Sequence, residues 1–362
     1  MLFSIKHIRL THFRNYHASS FAFDNRVTAI CGLNGVGKTN LLDAVYYLCF
    51  TKSYFNKTDG LSVELGSQGF NITGGFDRKD NEVAVSLILR ENNKKELWCD
   101  QEQVTPFSQH IGQFPVVFIA PDDVVLITGG SEERRRFLDT MLSQLNHEYL
   151  TQLIRYNKCL QDRNRYLKNI AVSHGQVDHL LIDSFDQQLL ESGIFILSKR
   201  TEFLSLFIGD VLDLFTYIAH GHEVPTINFQ PSTTVESFRR DLINARGKDI
   251  MLQRTSIGVH RDDIDINVNN LPFKQSASQG QKKSLLFALK LAEFVTLKKH
   301  FGFEPVLLLD DIFEKLDQER LKRLLEWVCV KNNGQVILTD THHERVQSSM
   351  DEIGLPFQLI QL

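Results

Sequence analysis

The chain has no apolar run approaching the ~20 residues that a membrane span needs. Its first residues, MLFSIKHIRLTHFRNY, alternate like a strand and show neither an apolar h-region nor a small-residue cleavage site. We therefore expect no membrane partner and no secretion signal, with the cytoplasm as the default compartment. Cysteine is scarce. Cys31, Cys49, Cys99, Cys159 and Cys329 are odd in number, and none stands at C-x-x-C spacing. That argues against structural disulfides and against a zinc site, and in favour of small buried side chains. Excess charge is also missing: the formal net charge is −4. A protein coated by nucleic acid over its whole surface is thereby disfavoured, but a local basic stripe on one face is not. There is no internal repeat and no low-complexity tail. No zinc-finger, RRM or helix-turn-helix pattern appears, so sequence-specific reading of bases is not expected. Residues 131–220 contain no proline at all.

What is present is ordinary for a globular protein: 362 residues, 42% hydrophobic and 23% charged. That length accommodates one large α/β domain and a second module. SIKHIRLTHF and SFAFDNRVTAI alternate as a hairpin over residues 1–30. VTAIC is short, apolar and rich in β-formers, so it predicts a buried strand. A Gly-rich loop follows, then NLLDAVYYLCF with helical spacing. FNITGGF, EVAVSLILR, KKELWCD and PVVFIA predict a meander over 70–120, with a turn at Asn92–Asn93. The proline-free stretch is helical. Leu138, Leu142, Leu145, Tyr149, Leu153, Tyr156, Leu160 and Leu167 form one apolar stripe on a long helix or two. Helix is again predicted over Val177–Phe215 and near Val235–Arg246. From Ser256 the α/β pattern returns: DIDINVNN, a loop into the helix SQGQKKSLLFALKLAEFVTLKKH, the strand PVLLLDD, the helix QERLKRLLEWVCVK, then strands GQVILTD and FQLIQL. The expected fold is thus an α/β core split by a helical insertion, with boundaries at 1–130, 131–255 and 256–362.

Three motifs carry the chemistry. Gly32-Leu33-Asn34-Gly35-Val36-Gly37-Lys38-Thr39 fits G-x-x-x-x-G-K-[ST] and lies between a strand and a helix, the context the motif requires. Its glycines let backbone N–H groups curl around phosphate, and the helix N-terminus adds a favourable dipole. Lys38 would reach the β- and γ-phosphates of ATP, and Thr39 would ligate Mg²⁺. Val306–Leu309 followed by Asp310-Asp311 is a Walker B pattern. Asp310 would hold Mg²⁺ through water, and Asp311 stands where many ABC ATPases place the glutamate that positions the attacking water. Aspartate is one methylene shorter, which predicts slow hydrolysis, suited to a timed switch. Ser278-Gln279-Gly280-Gln281 before a long helix resembles the ABC signature loop. In that class the loop closes on nucleotide held by the opposite subunit, which implies an ATP-dependent homodimer. These features together predict a P-loop ABC-type ATPase head split by a helical arm. Phe313-Glu314-Lys315-Leu316-Asp317 occupies the D-loop position, with Asp317 as its aspartate. His342 follows a late strand where a switch histidine could sense the γ-phosphate. His343 is adjacent, and an exposed surface histidine is the alternative.

Three longer stretches resemble the RecF family. They are Phe13-Arg14-Asn15-Tyr16 with Asn34 and Asn40 in and after the P-loop; Ala120-Pro121-Asp122-Asp123, Gly130 and Glu133-Arg134-Arg135-Arg136-Phe137-Leu138-Asp139; and Gly258-Val259-His260-Arg261-Asp262-Asp263 ahead of the signature loop. The similarity covers nearly the whole chain. There are departures: Lys282-Lys283 replaces the more usual Gln-Arg, Glu314 replaces the D-loop serine, and VFIAPDD occupies the place of a Q-loop glutamine. The resemblance implies a DNA-dependent ATPase that dimerises on ATP and binds duplex or gapped DNA. It would work with RecR and RecO to help RecA load in recombinational repair, replication after damage and the SOS response. Arg14 and Asn40 enter the nucleotide set with the P-loop.

The candidate DNA face is Arg155, Lys158, Arg163, Arg165 and Lys168, with Tyr149, Tyr156 and Tyr166 interleaved. Such a face could neutralise phosphates without reading bases. A solvated helix face explains the same residues, and Glu132 and Glu133 point to helix-start salt bridges for Arg134–Arg136. An SMC- or RecN-like structural ATPase would need much longer arms than the 125 residues of 131–255. A transporter ATPase subunit would not place Lys38 and Ser278 240 residues apart.

Overall fold

The computed structural model describes residues 3–79, 81–173, 177–219, 223–314 and 317–362. Short runs of β-formers build its centre. Val27–Cys31, Val116–Ile119, Val306–Leu309 and Val336–Asp340 are buried along their whole lengths, as parallel strands covered on both faces must be. They form a five-stranded parallel sheet in the order Gln358–Gln361, Val27–Cys31, Val336–Asp340, Val306–Leu309, Val116–Ile119. The register sets Leu309 beside Leu338 and Ile119, and Asp340 beside Cys31. The carboxyl ends of the strands therefore share one edge, where open α/β sheets collect their ligand loops.

A second, antiparallel sheet starts from the hairpin Phe3–Phe13 and Tyr16–Ala22 and continues through Phe70–Arg78, Asn81–Leu89 and Lys95–Cys99. The helix Lys38–Phe50 is buried from Leu41 to Phe50. Its apolar residues run all round because it packs against strands of both sheets. PVVFIA, expected in the antiparallel meander, supplies the edge strand of the parallel sheet instead. Its burial pattern shows why: all four residues of Val116–Ile119 are enclosed, where a meander strand would alternate.

The chain divides into two compact units. One comprises Met1–Asp123, Leu214–Gly221 and Gln279–Leu362; the other comprises Val124–Asp213 and His222–Ser278. The second unit is the helical insertion. Its stripe of leucines and tyrosines is two helices, Ser131–Leu145 and His147–Ser173. The break falls at Asn146, whose Oδ1 accepts the backbone N–H of Tyr149 at 2.9 Å as an N-terminal cap. The sequence pattern returned the chain to the core at residue 256, whereas the structure returns it at Gln279. The strand Asp263–Val268 reads like a core strand, but it pairs with Thr226–Gln230 and Leu271–Pro272 in a three-stranded sheet of the insertion. Among the described residues, no helix is long and apolar enough to cross a membrane.

Candidate functional site

The P-loop is braced from below by the turn of the first hairpin. Tyr16 OH donates to the Gly37 carbonyl at 3.0 Å, and Asn15 Nδ2 donates to the Val36 carbonyl at 2.8 Å. Asn40 Nδ2 donates back to Asn15 Oδ1 at 2.7 Å. Gly37 sits at φ +114°, and a Cβ there would lie 2.5 Å from the Asn15 side chain. Only glycine satisfies both the left-handed backbone and the close approach. Arg14 donates to Asn40 Oδ1 at 2.8 Å, to Asp43 Oδ2 at 2.5 Å and to Ser53 Oγ at 3.0 Å. Its guanidinium is therefore committed to the first turns of the P-loop helix. Burial pushes the Asp43 carboxyl above its usual range, against the opposing pull of Arg14. Lys38 is only 5% exposed, and its Nζ donates to the Gly32 and Leu33 carbonyls at 2.8 and 3.1 Å.

The structure brings Thr39 and Asp310 together across 271 residues of sequence. Thr39 Oγ1 lies 2.9 and 3.0 Å from the two Asp310 oxygens. Thr339 Oγ1 donates to Asp310 Oδ1 at 2.8 Å and accepts the Asp311 N–H at 2.9 Å. Asp310 is 5% exposed, and burial together with the Asp311 charge raises its carboxyl to about 6, against the hydroxyls and Lys38. A buried carboxylate paired with a hydroxyl is a hard oxygen site short of positive charge, which fits Mg²⁺. Asp311 follows at φ +44°. A non-glycine residue in that region costs about 1–3 kcal/mol and is characteristic of functional loops.

The signature loop lies where the chain passes from one unit to the other. Ser278 is exposed, and Gly280 and Gln281 are half-buried at the start of the helix Gln279–Phe301. A Cβ on Gly280 would meet the Arg320 guanidinium at 2.4 Å. Arg320 in turn donates to Asp317, from its backbone N at 3.0 Å and from Nη1 at 2.7 Å. Asp317 thus caps the helix Gln318–Leu325, and these bonds hold its carboxyl low. Lys315 and Leu316 of the D-loop lie outside the described residues. His342 is exposed, and its backbone N–H donates to Asp340 Oδ1 at 2.6 Å.

One cluster escaped the sequence reading. Where a Q-loop glutamine was sought, Asp123 hydrogen-bonds Tyr54 OH and accepts the Ala120 N–H at 2.9 Å. Lys290, on the signature helix, donates to Tyr54 OH at 3.1 Å and lies 3.7 Å from both Asp123 and Glu293. Burial raises Glu293 to about 7. The available signal was a Lys–Glu pair at i,i+3 on a face otherwise apolar.

On the insertion, the DNA face is corrected. Arg163 is fully buried and donates to Asp186 at 2.9 Å, to Asp249 at 2.8 Å and to Thr255 at 2.8 Å. It points into the unit because position 163 falls on the same stripe as Tyr156, Cys159 and Leu167, all buried. Tyr149 and Tyr156 are core as well, bonded to Asp139 and His260. Arg155, Lys158, Arg165 and Lys168 are exposed. Arg134 pairs with Asp263 and Arg136 with Glu133, so that cluster is internal salt bridging. Arg200 draws the distinctive runs together: it donates to Asp139 at 2.7 Å, to Asp262 at 2.8 Å and to the Val259 carbonyl at 2.6 Å.

A family model of the RecF/RecN/SMC N terminal domain matches residues 4–358. The DNA replication and repair protein RecF of Cytophaga hutchinsonii is 38% identical over 341 residues, spanning 94% of this chain and 90% of that protein. The protein of the same name from Flavobacterium johnsoniae is 37% identical and spans 98% of this chain and 99% of its own length. Among solved structures, the recombination mediator protein RecF-ATP of the RecFOR pathway superposes with a TM-score of 0.86 at 28% identity, over 94% of this chain and 92% of that one. An SMC head bound to the C-winged helix domain of ScpA superposes with a TM-score of 0.54 at 15% identity, a likeness of fold alone. With a P-loop ATPase-type head, a helical insertion and relatives matched from end to end, this chain belongs to the RecF family.

Proposed function

We propose that the chain is an ATP-driven switch that acts on DNA as a recombination mediator in replication and repair. The observation that carries this is the meeting of Thr39 and Asp310 at the head of a braced P-loop. In this reading the Gly32–Thr39 backbone and Lys38 cradle the phosphates of ATP, and Asn40 keeps the loop in place through Asn15 and Arg14. Thr39 and Asp310 hold Mg²⁺, which neutralises charge on the phosphates. Asp311 orients the attacking water, and its short reach makes turnover slow. Ser278, Gly280 and Gln281 close on the nucleotide of a second copy, with Asp317 and His342 nearby, so that ATP joins two heads into a homodimer.

The dimer then grips duplex or gapped DNA through its backbone. The surviving exposed cations Arg155, Lys158, Arg165 and Lys168 support this, with salt-dependent affinity and no base reading. The family relationship supports RecR as the docking partner, with RecO and RecA in the same pathway. The test is fluorescence anisotropy of a labelled gapped duplex titrated in ATP, in ADP and without nucleotide, with Ser278→Arg and Lys38→Met in parallel. Tight binding only with ATP, lost in both variants, is expected. Ser278→Arg should still bind ATP but not dimerise. Affinity that ignores nucleotide would detach the ATPase from the DNA.

A further inference from the structure

Two histidines and a carboxylate meet beside the hairpin turn that braces the P-loop. His12 and His17 stand opposite each other, between the pairs Thr11–Ala18 and Phe13–Tyr16. Their ring centroids are 4.7 Å apart, edge to face. Glu64 arrives from another segment: its backbone N–H donates to the His12 carbonyl at 2.9 Å. Glu64 Oε2 then lies 2.6 Å from His12 Nδ1 and 3.2 Å from His17 Nδ1. Ser67 Oγ closes the group, 3.1 Å from His12 Nδ1 and 3.3 Å from Glu64 Oε2. The three ligand atoms lie within 4.8 Å of one another.

We propose that His12, His17 and Glu64 form a binding site for a zinc-class divalent ion, with water completing the tetrahedron, and that the bound ion clamps the P-loop brace. Zn–N bonds of about 2.0–2.1 Å and Zn–O bonds of about 2.0–2.2 Å place tetrahedral ligands roughly 3.3–3.5 Å apart. The His17–Glu64 separation of 3.2 Å is within ~0.1 Å of that spacing, and the His12–Glu64 contact of 2.6 Å has to open by under ~1 Å. Side-chain rotation of His12 supplies this, since its side chain is 37% exposed. Two imidazoles and one carboxylate select zinc, nickel, cobalt or copper over Mg²⁺. The hydroxyl and carboxylate oxygens of Thr39 and Asp310 make the opposite choice. Ser67 can keep its hydrogen bond to Glu64 Oε2, whereas its contact with His12 Nδ1 gives way to the ion, which takes that nitrogen's lone pair. No sequence spacing could announce this site, because Glu64 is 52 and 47 residues from its histidines.

The same segment touches the turn twice more, through Glu64 N–H on the His12 carbonyl and Arg14 N–H on the Ser62 carbonyl at 2.9 Å. An ion at the site ties residues 62–67 to the strand ends that carry Arg14, Asn15 and Tyr16. Nucleotide affinity then rises with metal occupancy, and by reciprocity nucleotide tightens the metal. This second part rests on the P-loop reading above.

The experiment is competition for Zn²⁺ between the full chain and a chromogenic chelator, without nucleotide, alongside the absorption spectrum of the Co²⁺-loaded protein. We expect one site of micromolar or tighter affinity, an intense tetrahedral cobalt band, and loosening of at least tenfold in His17→Ala and in Glu64→Gln. Asp310→Asn should leave zinc affinity unchanged. Zinc binding insensitive to His17→Ala, an exposed position where folding is not at stake, would overturn the site. Nucleotide affinity that does not move with zinc in the wild type would overturn the clamp. Failure to bind nucleotide with or without zinc would count against the P-loop reading and leave the metal site standing.

Discussion

Replacing Arg163 should damage the insertion and not the proposed DNA contact. Its guanidinium carries three hydrogen bonds, two of them to the carboxylates of Asp186 and Asp249, in a fully enclosed setting. Removing it in Arg163→Ala leaves the buried Asp249 carboxylate without a cation and Asp186 with Arg246 alone. Breaking a buried pair from one side costs about 3–5 kcal/mol. Nη2 of Arg163 is buried without a hydrogen-bond partner, which places the expected loss toward the lower end of that range. Asp186 keeps Arg246 at 2.7 Å, and Asp249 keeps Ser256, so the loss falls short of collapse. Urea denaturation followed by far-UV circular dichroism should show the transition of the insertion moving to lower denaturant at unchanged slope. Lys158→Ala, on the exposed side of the same helix, should change stability by under ~0.5 kcal/mol. It should instead lower the slope of log affinity for duplex against log salt by about one. If Arg163→Ala left the denaturation midpoint in place and flattened the salt dependence, the guanidinium would be facing DNA and the inward orientation would be refuted.

Tyr16→Phe removes one hydrogen bond to the Gly37 carbonyl and nothing else, so nucleotide affinity should fall about 2- to 10-fold with the fold intact, read by titration with a fluorescent ATP analogue. Asp310 titrates near 6 in the folded chain, above its ordinary 3.8, so its burial disfavours folding wherever the carboxylate is charged. That penalty is absent below the unfolded value and fully present above about 6. At about 1.4 kcal/mol for each tenfold change in proton affinity it amounts to roughly 3 kcal/mol. Asp310→Asn should accordingly stabilise the nucleotide-free protein at pH 8 while abolishing the Mg²⁺ dependence of ATP binding, and wild-type Mg²⁺ affinity should climb from pH 5 and level off above about 6. Asp311→Asn should trap the ATP-bound dimer, and unchanged turnover in single-turnover assays would remove Asp311 from the chemistry.

The local chemistry of the site was legible in the sequence because it is written in contiguous residues. A Gly-rich loop between a buried strand and a helix needs its glycines in order, and Asp310 follows its strand directly. Four of the five parallel strands were visible as strands for the same reason: burial on both faces leaves an uninterrupted apolar run. The brace was visible only as a motif. Phe13–Tyr16 resembles a known family, yet nothing in its letters says that Asn15 and Tyr16 hold the carbonyls of Val36 and Gly37. The edge strand Val116–Ile119 and the insertion strand Asp263–Val268 were assigned to the wrong partners, because pairing is a property of two segments and the pattern belongs to one.

Charge shows the division most clearly. Composition and helical spacing determined that residues 151–171 are a cationic, tyrosine-bearing helix. They did not determine which cation faces inward. Arg163 shares the stripe of Tyr156, Cys159 and Leu167, and it is enclosed because Asp186 and Asp249 come to meet it from elsewhere in the chain. A charge can be buried only when its counter-charges are buried with it. By itself, the sequence determined a P-loop ATPase-type head and its split by a helical insertion, since each follows from local backbone geometry or periodicity. The tertiary structure alone decided which arginines are core, how the hairpin turn holds the P-loop, and that two histidines meet a glutamate beside it, since these depend on side chains converging from distant segments.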